Sequence, residues 1–336
     1  MRGAKGCAHC RGDGSVGDFG QLFAKSYRKD LKQPKLYRTY SDFLNEHFAF
    51  RVQKLPIDAG FTCPNRDGTK GVGGCIYCNN QSFNTSYCNS ALSLTEQLER
   101  GMRFFSGKYE GMKFLAYFQS HTGTHASLER LKALYADAVA VDDVVGIVIA
   151  TRPDCVSNEL LDYLRELQQR CFVMLEYGVE TLNDSTLQFI NRCHDAATSV
   201  SAIKFTHEYG IPQCAHLILG LPGESQHNML HTVDVISSLP VDVVKFHQLQ
   251  VVKGTALEKM LNSGQIADFR CFTLDEYLAL CGEMVKRLSP KIAIERFVSE
   301  SPADILISPK WGIKPDKFKS MLEKYLIQHH ISQQNS

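Results

Sequence analysis

Apolar residues in the middle of the chain fall into short continuous runs separated by segments of helical apolar period. Runs such as "VVGIVIATR" (144–152) and "FVMLEYGVE" (172–180) consist almost entirely of apolar residues. Uninterrupted runs of this length are typical of strands buried on both faces, as in parallel sheets. Six strands are predicted, in "RVQKLPIDAG", "KFLAYFQ", "VVGIVIATR", "FVMLEYGVE", "AHLILGLPG" and "VDVVKFHQLQVV".

Helices are predicted in the intervening segments. Ser157 is an N-cap candidate at the start of "SNELLDYLREL", which repeats Leu with helical spacing. Alternating strands and helices predict an α/β fold, built either as a barrel, as part of one, or as a doubly wound sheet. The predicted helices cover 93–107, 127–139, 157–167, 183–194 and 197–209, with further helices starting near 224 and at 255.

The two ends of the chain differ from this central series. The first residues are rich in Gly and polar side chains, and residues 265–336 predict mostly helix with one strand-like run, "KIAIERFV". We therefore expect four regions. These are a disordered leader over 1–24, a basic N-terminal segment over 25–49, a core over 50–264 and a mostly helical C-terminal extension over 265–330.

Polar residues cluster where the predicted strands end. Gln119, Thr151, Glu180 and "GLPGE" (220–224) each follow or close an apolar run, and a cysteine-rich loop follows the first strand. In parallel α/β folds, ligands bind at the carboxyl ends of the strands. The sequence therefore predicts one functional site at this edge of the sheet.

The cysteine-rich loop, "CPNRDGTKGVGGCIYC", places Cys63, Cys75 and Cys78 around four glycines. Thiolates are soft ligands suited to zinc or iron–sulfur clusters. The glycines permit the left-handed dihedral angles that let the loop double back, and such turns form anion-binding nests of N–H groups. The spacing and the glycine content together indicate a metal site.

Two kinds of metal site remain open from the residues alone. A structural zinc site needs four ligands, and Cys88 is the candidate for the fourth. A cluster with one iron left open needs only three, and the position after the first strand favours it. We interpret Cys155, Cys171, Cys193, Cys214, Cys271 and Cys281 as buried small hydrophobes, and Cys7 and Cys10 as a leader or cloning artefact.

The composition excludes some classes of binding partner but does not identify a function. The 336 residues are 44% hydrophobic and 22% charged with a net charge of +1, so no global field recruits nucleic acid or a membrane. No apolar run reaches the length of a membrane span. Twelve cysteines scattered through a large chain are typical of reduced, cytoplasmic usage. We expect a cytoplasmic protein without a membrane partner.

Consecutive motifs resemble the radical S-adenosylmethionine (radical SAM) superfamily, and within it the uncharacterised YhcC-type branch. The resemblance spans residues 50 to about 315 and includes the long Cys-x11-Cys-x2-Cys spacing. This branch is similar to the elongator catalytic subunit and to oxygen-independent coproporphyrinogen oxidase. The motifs are "FTCPNRDGTKGVGGCIYCNNQSF", "LAYFQSHTGTHA", "GIVIATRPDCV", "MLEYGVETLNDSTLQFINRCHD", "HLILGLPGES" and "VVKFHQLQVVKGTAL".

The resemblance implies a partial (β/α)6 TIM-like barrel and an enzyme with two cofactors. Cys63, Cys75 and Cys78 would hold three irons of a [4Fe–4S] cluster, and S-adenosylmethionine (SAM) would bind the fourth. An electron from a flavodoxin- or ferredoxin-type donor would cleave SAM to methionine and a 5′-deoxyadenosyl radical, which takes a hydrogen atom from the substrate. The alternative from another class is a zinc-stabilised binding module without redox activity.

The resemblance also implies residues that contact SAM. The end of the second strand, Gln119 and Ser120, stands where relatives have a glycine-rich turn, so side chains replace backbone contacts there. Arg192 is implied to pair with the SAM carboxylate and Glu180 to lie near the ribose hydroxyls. Two further strand-end residues are implied as contacts, Thr151 and His216.

The residues do not identify one substrate. The basic strip at 25–40, together with the likeness to the elongator subunit, makes tRNA one candidate; a protein or a small molecule is the other. His247 and Gln248, at the end of the sixth strand, are candidates to face the substrate, as are Glu295 and Arg296. Four lysines add to the basic surface, Lys310, Lys314, Lys317 and Lys319.

Overall fold

The computed structural model describes residues 35–79, 87–105, 109 and 111–333. Six of its strands pair in parallel in one sheet. All six predicted strands are present, so the apolar runs are confirmed as strands. Their bounds are β1 Val52–Ile57, β2 Lys113–Phe118, β3 Val144–Thr151, β4 Phe172–Glu180, β5 Gln213–Leu219 and β6 Val243–Gln248.

Helices follow the strands as the sequence predicts. Ser157 is confirmed as an N-cap, since its hydroxyl accepts the N–H of Leu160 at 3.3 Å. The helix predicted over 183–194 ends earlier, because Asn191 and Cys193 adopt left-handed backbone angles. The helices are α1 Tyr40–His47, α2 Leu94–Phe105, α3 Leu128–Val139, α4 Asn158–Gln168, α5 Asp184–Phe189, α6 Ala196–Glu208, α7 Gln226–Ser238, α8 Ala256–Asn262, α9 Leu274–Arg287 and α10 Pro315–Gln328.

A seventh parallel strand completes the sheet. β8 (Ala293–Arg296) is the strand-like run of the predicted extension, and it pairs with β6, giving the order β1-β2-β3-β4-β5-β6-β8. The sheet is a half-barrel covered by helices, with β1 and β8 at its two edges. The predicted strand over 241–252 divides after Gln248. Its last part, β7 (Val251–Val252), pairs antiparallel with β9 (Leu306–Ser308).

Inward side chains change character along β4, β5 and β6. The first belongs to an apolar cluster capped by Phe43 of α1, the second lies in or beside a buried group of charges, and the third lines a cavity. This order follows from the two-residue period of a strand. The inward residues are Met174, Glu176 and Gly178 on β4, Cys214, His216 and Ile218 on β5, and Val243, Lys245 and His247 on β6.

The predicted leader and the first part of the basic segment, up to residue 34, lie outside the described residues. Of the rest, Lys35 is ion-paired with Asp42, and Arg38 lies 2.6 Å from Glu46. These intramolecular pairs reduce the positive field that the described part of the strip presents. No helix in the described ranges is both long enough and apolar enough to cross a membrane.

Candidate functional site

The cysteine loop folds back on itself at the carboxyl end of β1. The carbonyl of Pro64 accepts hydrogen bonds from the N–H groups of Lys70 (2.8 Å) and Gly71 (3.1 Å), which closes the first half of the loop. The second half returns to the first, since the N–H of Gly74 donates to the carbonyl of Asn65 at 2.8 Å. Cys63, Cys75 and Cys78 all line one cavity of about 170 Å³. The loop therefore brings its three thiols to the same space.

The glycines of the loop serve two purposes. Gly68, Gly73 and Gly74 have φ angles of +88°, +81° and +78°, as the prediction of left-handed turns requires. Gly71 instead allows close packing, since a Cβ there would lie 2.4 Å from Oδ1 of Asn65. An alanine at Gly71 would push Asn65 away from Cys75, whose sulfur it contacts.

Hydrogen-bond donors and positive charge surround the thiols. Sγ of Cys75 lies 3.6 Å from both Nδ2 of Asn65 and Nη1 of Arg192. Arg66 donates to the carbonyl of Cys78 at 2.7 Å. Donors of this kind stabilise thiolates, the form in which cysteine binds metals.

The distances between the sulfur atoms distinguish the two hypotheses for the metal site, a single zinc ion and an iron–sulfur cluster. No three cysteines in the described ranges have all their sulfur atoms within 4.8 Å of one another. A single tetrahedral zinc at about 2.3 Å from each sulfur places sulfurs roughly 3.8 Å apart. Cys88, the candidate fourth ligand, does not line the cavity, and its thiol interacts with the Ser120 side chain. The donor set fits a larger, multi-iron group better than one zinc ion.

Arg192 is held at the cavity by an unusual backbone. Glu180 ends β4 with a φ of +67°, and its carboxylate lies 3.3 Å from Nη2 of Arg192. The same guanidinium donates to the carbonyl of Gly178, where a Cβ would lie 2.7 Å from both Arg192 and Glu180. Backbone strain of this kind persists where the surrounding structure enforces it, often at functional sites.

The other residues implied as SAM contacts divide into two groups. Gln119, Thr151 and His216 line the cavity with the thiols, as do Glu180 and Arg192. Ser120 is buried beside Cys88 and does not line the cavity.

A buried group of four charges lies directly below the cavity. Glu176 accepts from Lys54 at 2.7 Å and from Lys245 at 2.9 Å, and both lysines also contact Glu295, at 2.6 and 3.0 Å. We call Lys54, Glu176, Lys245 and Glu295 the ion quartet. Its two cations and two anions neutralise each other, which makes burial of all four tolerable. The lysines hold the pKa of the Glu176 carboxyl well below its usual range, although burial alone would raise it.

The ion quartet orients polar groups around it. The hydroxyl of Tyr117 donates to Glu176 at 2.6 Å, and Nε2 of His216 lies 2.8 Å from the same carboxylate. Because a carboxylate only accepts, Nε2 of His216 carries the proton and Nδ1 is the acceptor nitrogen. Burial, and then Lys245, lower the pKa of His216, so the ring is neutral at pH 7.

Sequence reasoning missed most of this group. Glu295 and His216 were candidates, whereas Lys54, Glu176 and Lys245 were not. The available signal is one charged residue at an inward position within an otherwise apolar strand, as in "MLEYG" and "VVKFH".

The cysteines predicted to be buried need correction: Cys214 and Cys281 are buried, whereas Cys155, Cys171 and Cys271 are half-buried. Cys193 is exposed, and its sulfur lies 3.0 Å from Oδ1 of Asn65 in the cysteine loop. Gln248 is also a correction: it is buried, bonds Ser299 and does not line the cavity.

A second, larger cavity of about 710 Å³ adjoins the same edge of the sheet. It is lined by the 220–224 loop, by α5 and by residues 265–272. Glu224 receives a hydrogen bond from Thr181 through one oxygen, while its buried Oε2 has no hydrogen-bond partner. Burial raises the pKa of Glu224 to about 7.

Comparison with known families matches two adjoining parts of the chain. A model described as the Radical SAM superfamily matches residues 63–236, which contain the cysteine loop and Arg192. A model described as the Radical_SAM C-terminal domain matches residues 241–328.

Individual proteins are similar to this chain over different shares of its length. The protein YhcC of Escherichia coli K12 is 34% identical over 302 residues, covering 90% of this chain and 96% of its own. A tRNA uridine(34) acetyltransferase of Methanocaldococcus jannaschii is 26% identical over 192 residues, 56% of this chain and 34% of its own. The solved structure of Elp3 from Methanocaldococcus infernus superposes with a TM-score of 0.64 at 16% identity. That match covers 84% of this chain and 64% of the Elp3 chain, and it shows a shared fold.

Proposed function

Because the chain belongs to the radical SAM superfamily, we propose that it cleaves SAM reductively at a [4Fe–4S] cluster and starts radical chemistry on a substrate. The observation that carries the proposal is the cavity that gathers Cys63, Cys75 and Cys78 together with Arg192. When bound, the cluster and SAM supply one-electron cleavage of SAM and hydrogen-atom abstraction. The chain supplies binding, orientation and shielding from competing reactions.

The cavity residues have distinct parts in this proposal. The three thiols hold the cluster, and the donors from Asn65 and Arg192 offset negative charge at Cys75. Arg192 keeps a second N–H on Nη1, which we assign to the SAM carboxylate. Glu180 holds the guanidinium in place and accepts hydrogen bonds from the ribose hydroxyls.

Further contacts are assigned from the strand ends. Gln119, Thr151 and His216 present polar atoms to the same space and are proposed to contact SAM. The hydroxyl of Thr151 also bonds Thr124 at 2.5 Å, which fixes its orientation at the cavity wall. The proposed role of Ser120 is indirect: it lies behind the wall against Cys88.

The first test is an anaerobic preparation. We expect a brown protein with about four irons per chain that releases 5′-deoxyadenosine from SAM after reduction. Cys78→Ala is expected to lose the iron, and Cys88→Ala, the matched control, to keep it. A colourless protein that binds one zinc ion, or loss of metal in Cys88→Ala, would refute the assignment.

Reductive cleavage of SAM consumes one electron, so the proposed reaction needs an external reductant. We propose a flavodoxin- or ferredoxin-type donor. Deoxyadenosine release driven by a reduced protein donor, compared with a chemical reductant, tests this proposal. No turnover with either protein donor would contradict it.

For the substrate, we propose tRNA as the first candidate. The supporting observation is the similarity, over 56% of this chain, to a protein named for modification of a tRNA uridine. Exposed Lys310, Lys314 and Lys317 of the C-terminal part add positive charge. Comparison of modified nucleosides in tRNA from cells with and without the gene tests the proposal. Identical nucleoside profiles would redirect the search to proteins and small molecules.

A further inference from the structure

Arg296 differs from two of the other cavity-lining arginines, Arg152 and Arg192, in lacking a carboxylate partner within the described ranges; the remaining one, Arg66, donates to the carbonyl of Cys78 at 2.7 Å. Arg192 is close to Glu180, and Arg152 lies 2.9 Å from Asp154. Arg296 extends from β8 and has no carboxylate partner in the described part of the chain. The carboxylate of its sequence neighbour Glu295 forms ion pairs with the two lysines of the ion quartet.

The contacts of Arg296 within the described residues do not neutralise its positive charge. Nη2 lies 3.2 and 3.4 Å from the two ring nitrogens of His247, and Nε is buried without any hydrogen-bond partner. Burial, and then Arg296 itself, hold the pKa of His247 well below its usual range, so this ring adds no charge at pH 7. Arg296 is half-buried, and a guanidinium whose buried Nε–H lacks a hydrogen-bond partner gains stability when an anion binds it.

Neighbouring side chains complete a recognition surface. The rings of His216 and His247 lie 5.5 Å apart, and both line the cavity beside Arg296. His216 presents Nδ1 as an acceptor because Glu176 fixes its Nε2–H. The surface therefore offers charged donors from β8 and a neutral acceptor from β5.

We propose that Arg296 binds an anionic group of the substrate, a carboxylate or a phosphoryl group, with His216 and His247 beside it. This inference rests on the proposed function, because it treats the cavity as shared by SAM and a substrate. β8 stands at the opposite end of the strand order from β1, whose loop carries the thiols. Arg296 and the thiols therefore reach the cavity from different strands, which the Lys54–Glu295 pair links.

The test titrates the cluster-loaded protein under argon, with SAM present, against small anions. The probes are inorganic phosphate and acetate, each compared with chloride at equal ionic strength, and the readout is the rise in melting temperature. The wild type is expected to show a saturable rise with at least one of the two anions. Arg296→Gln is expected to weaken that anion's binding about tenfold or more, since hydrogen bonds to charged groups are lost.

Controls separate recognition from folding. Arg296→Lys keeps the charge but loses the planar guanidinium, so we expect about threefold weaker anion binding. If Arg296→Gln does not fold, the comparison of wild type with Arg296→Lys is the test. Arg100→Gln, which removes an exposed arginine paired with Glu96, is expected to leave the titration unchanged. A response to phosphate alone identifies a phosphoryl group, and one to acetate alone identifies a carboxylate.

Three outcomes would overturn the inference. These are no saturable response in the wild type, an equal response in Arg296→Gln, or a tenfold loss of SAM affinity in that variant by equilibrium dialysis. The last result would mean that Arg296 holds the SAM carboxylate. Failure of the proposed function shows separately, as absent iron and absent deoxyadenosine, and the anion titration is then performed on the protein as purified, where it still reports on Arg296.

Discussion

Removing one member of the ion quartet should destabilise the protein far more than removing a surface charge. Lys54→Met leaves Glu176 and Glu295 to share Lys245, although Glu176 is fully buried and Glu295 is 13% exposed. Breaking a buried pair in this way costs about 3–5 kcal/mol of unfolding free energy. For a chain of 336 residues, this corresponds to a melting temperature lowered by roughly 4–7 °C.

The double variant distinguishes lost charge balance from lost packing. Lys54→Met with Glu295→Gln removes one cation and one anion and leaves Glu176 paired with Lys245 at 2.9 Å. We expect its destabilisation to be smaller than the sum of the single variants, by about 1–3 kcal/mol. The matched surface control is Glu96→Gln, which breaks an exposed pair and should cost under about 0.5 kcal/mol.

Urea unfolding of the cluster-loaded protein under argon, followed by circular dichroism, measures these differences. A cost for Lys54→Met below about 1 kcal/mol would refute the reasoning, because it would mean that the remaining charges are solvated or rearranged. Strict additivity in the double variant would refute it as well, since coupled charges cannot act independently.

Three further predictions concern the edge of the sheet. Gly178→Ala, whose Cβ would meet Arg192 and Glu180 at 2.7 Å, should raise the SAM dissociation constant about tenfold with iron content unchanged; unchanged affinity would contradict the proposed contact. Because the pKa of Glu224 is raised to about 7, the wild type should lose stability relative to Glu224→Gln as pH rises from about 4.5 to 7; parallel stability curves would contradict the burial argument. Cys193→Ser should retain all iron, and iron loss would mean a fourth thiol ligand.

The strands and the cysteine loop could be predicted because their signals are local. Continuous apolar runs mark β1 to β6, and the glycine and cysteine spacing marks the loop. β8 was recognised only as a strand-like run, since four residues that include Glu295 and Arg296 carry a weak pattern. Its place at the edge of the sheet depends on pairing with β6, which no local pattern records.

The ion quartet could not be predicted for a related reason. Lys54 lies 122 residues from Glu176 and 241 residues from Glu295, so the pairs exist only after the sheet curves. Each charge alone resembles an interruption of an apolar strand, and a buried charge is improbable until its partner is known. Arg296 shows the same limit, because its lack of a carboxylate partner among the described residues is visible only in three dimensions.

The Lys54–Glu295 ion pair joins the two edge strands of the half-barrel, β1 and β8, by a contact of a different kind from those within the sheet. Neighbouring strands elsewhere are spaced by backbone hydrogen bonds, which fix their separation near 4.8 Å. Between β1 and β8, Lys54 and Glu295 bridge the gap through side chains. β8 also pairs with the segment before α1, since the N–H of Ile294 donates to the carbonyl of Arg38 at 2.8 Å. A substitution at Lys54 or Glu295 would therefore alter the side-chain link across the gap and leave the backbone pairing of β8 in place.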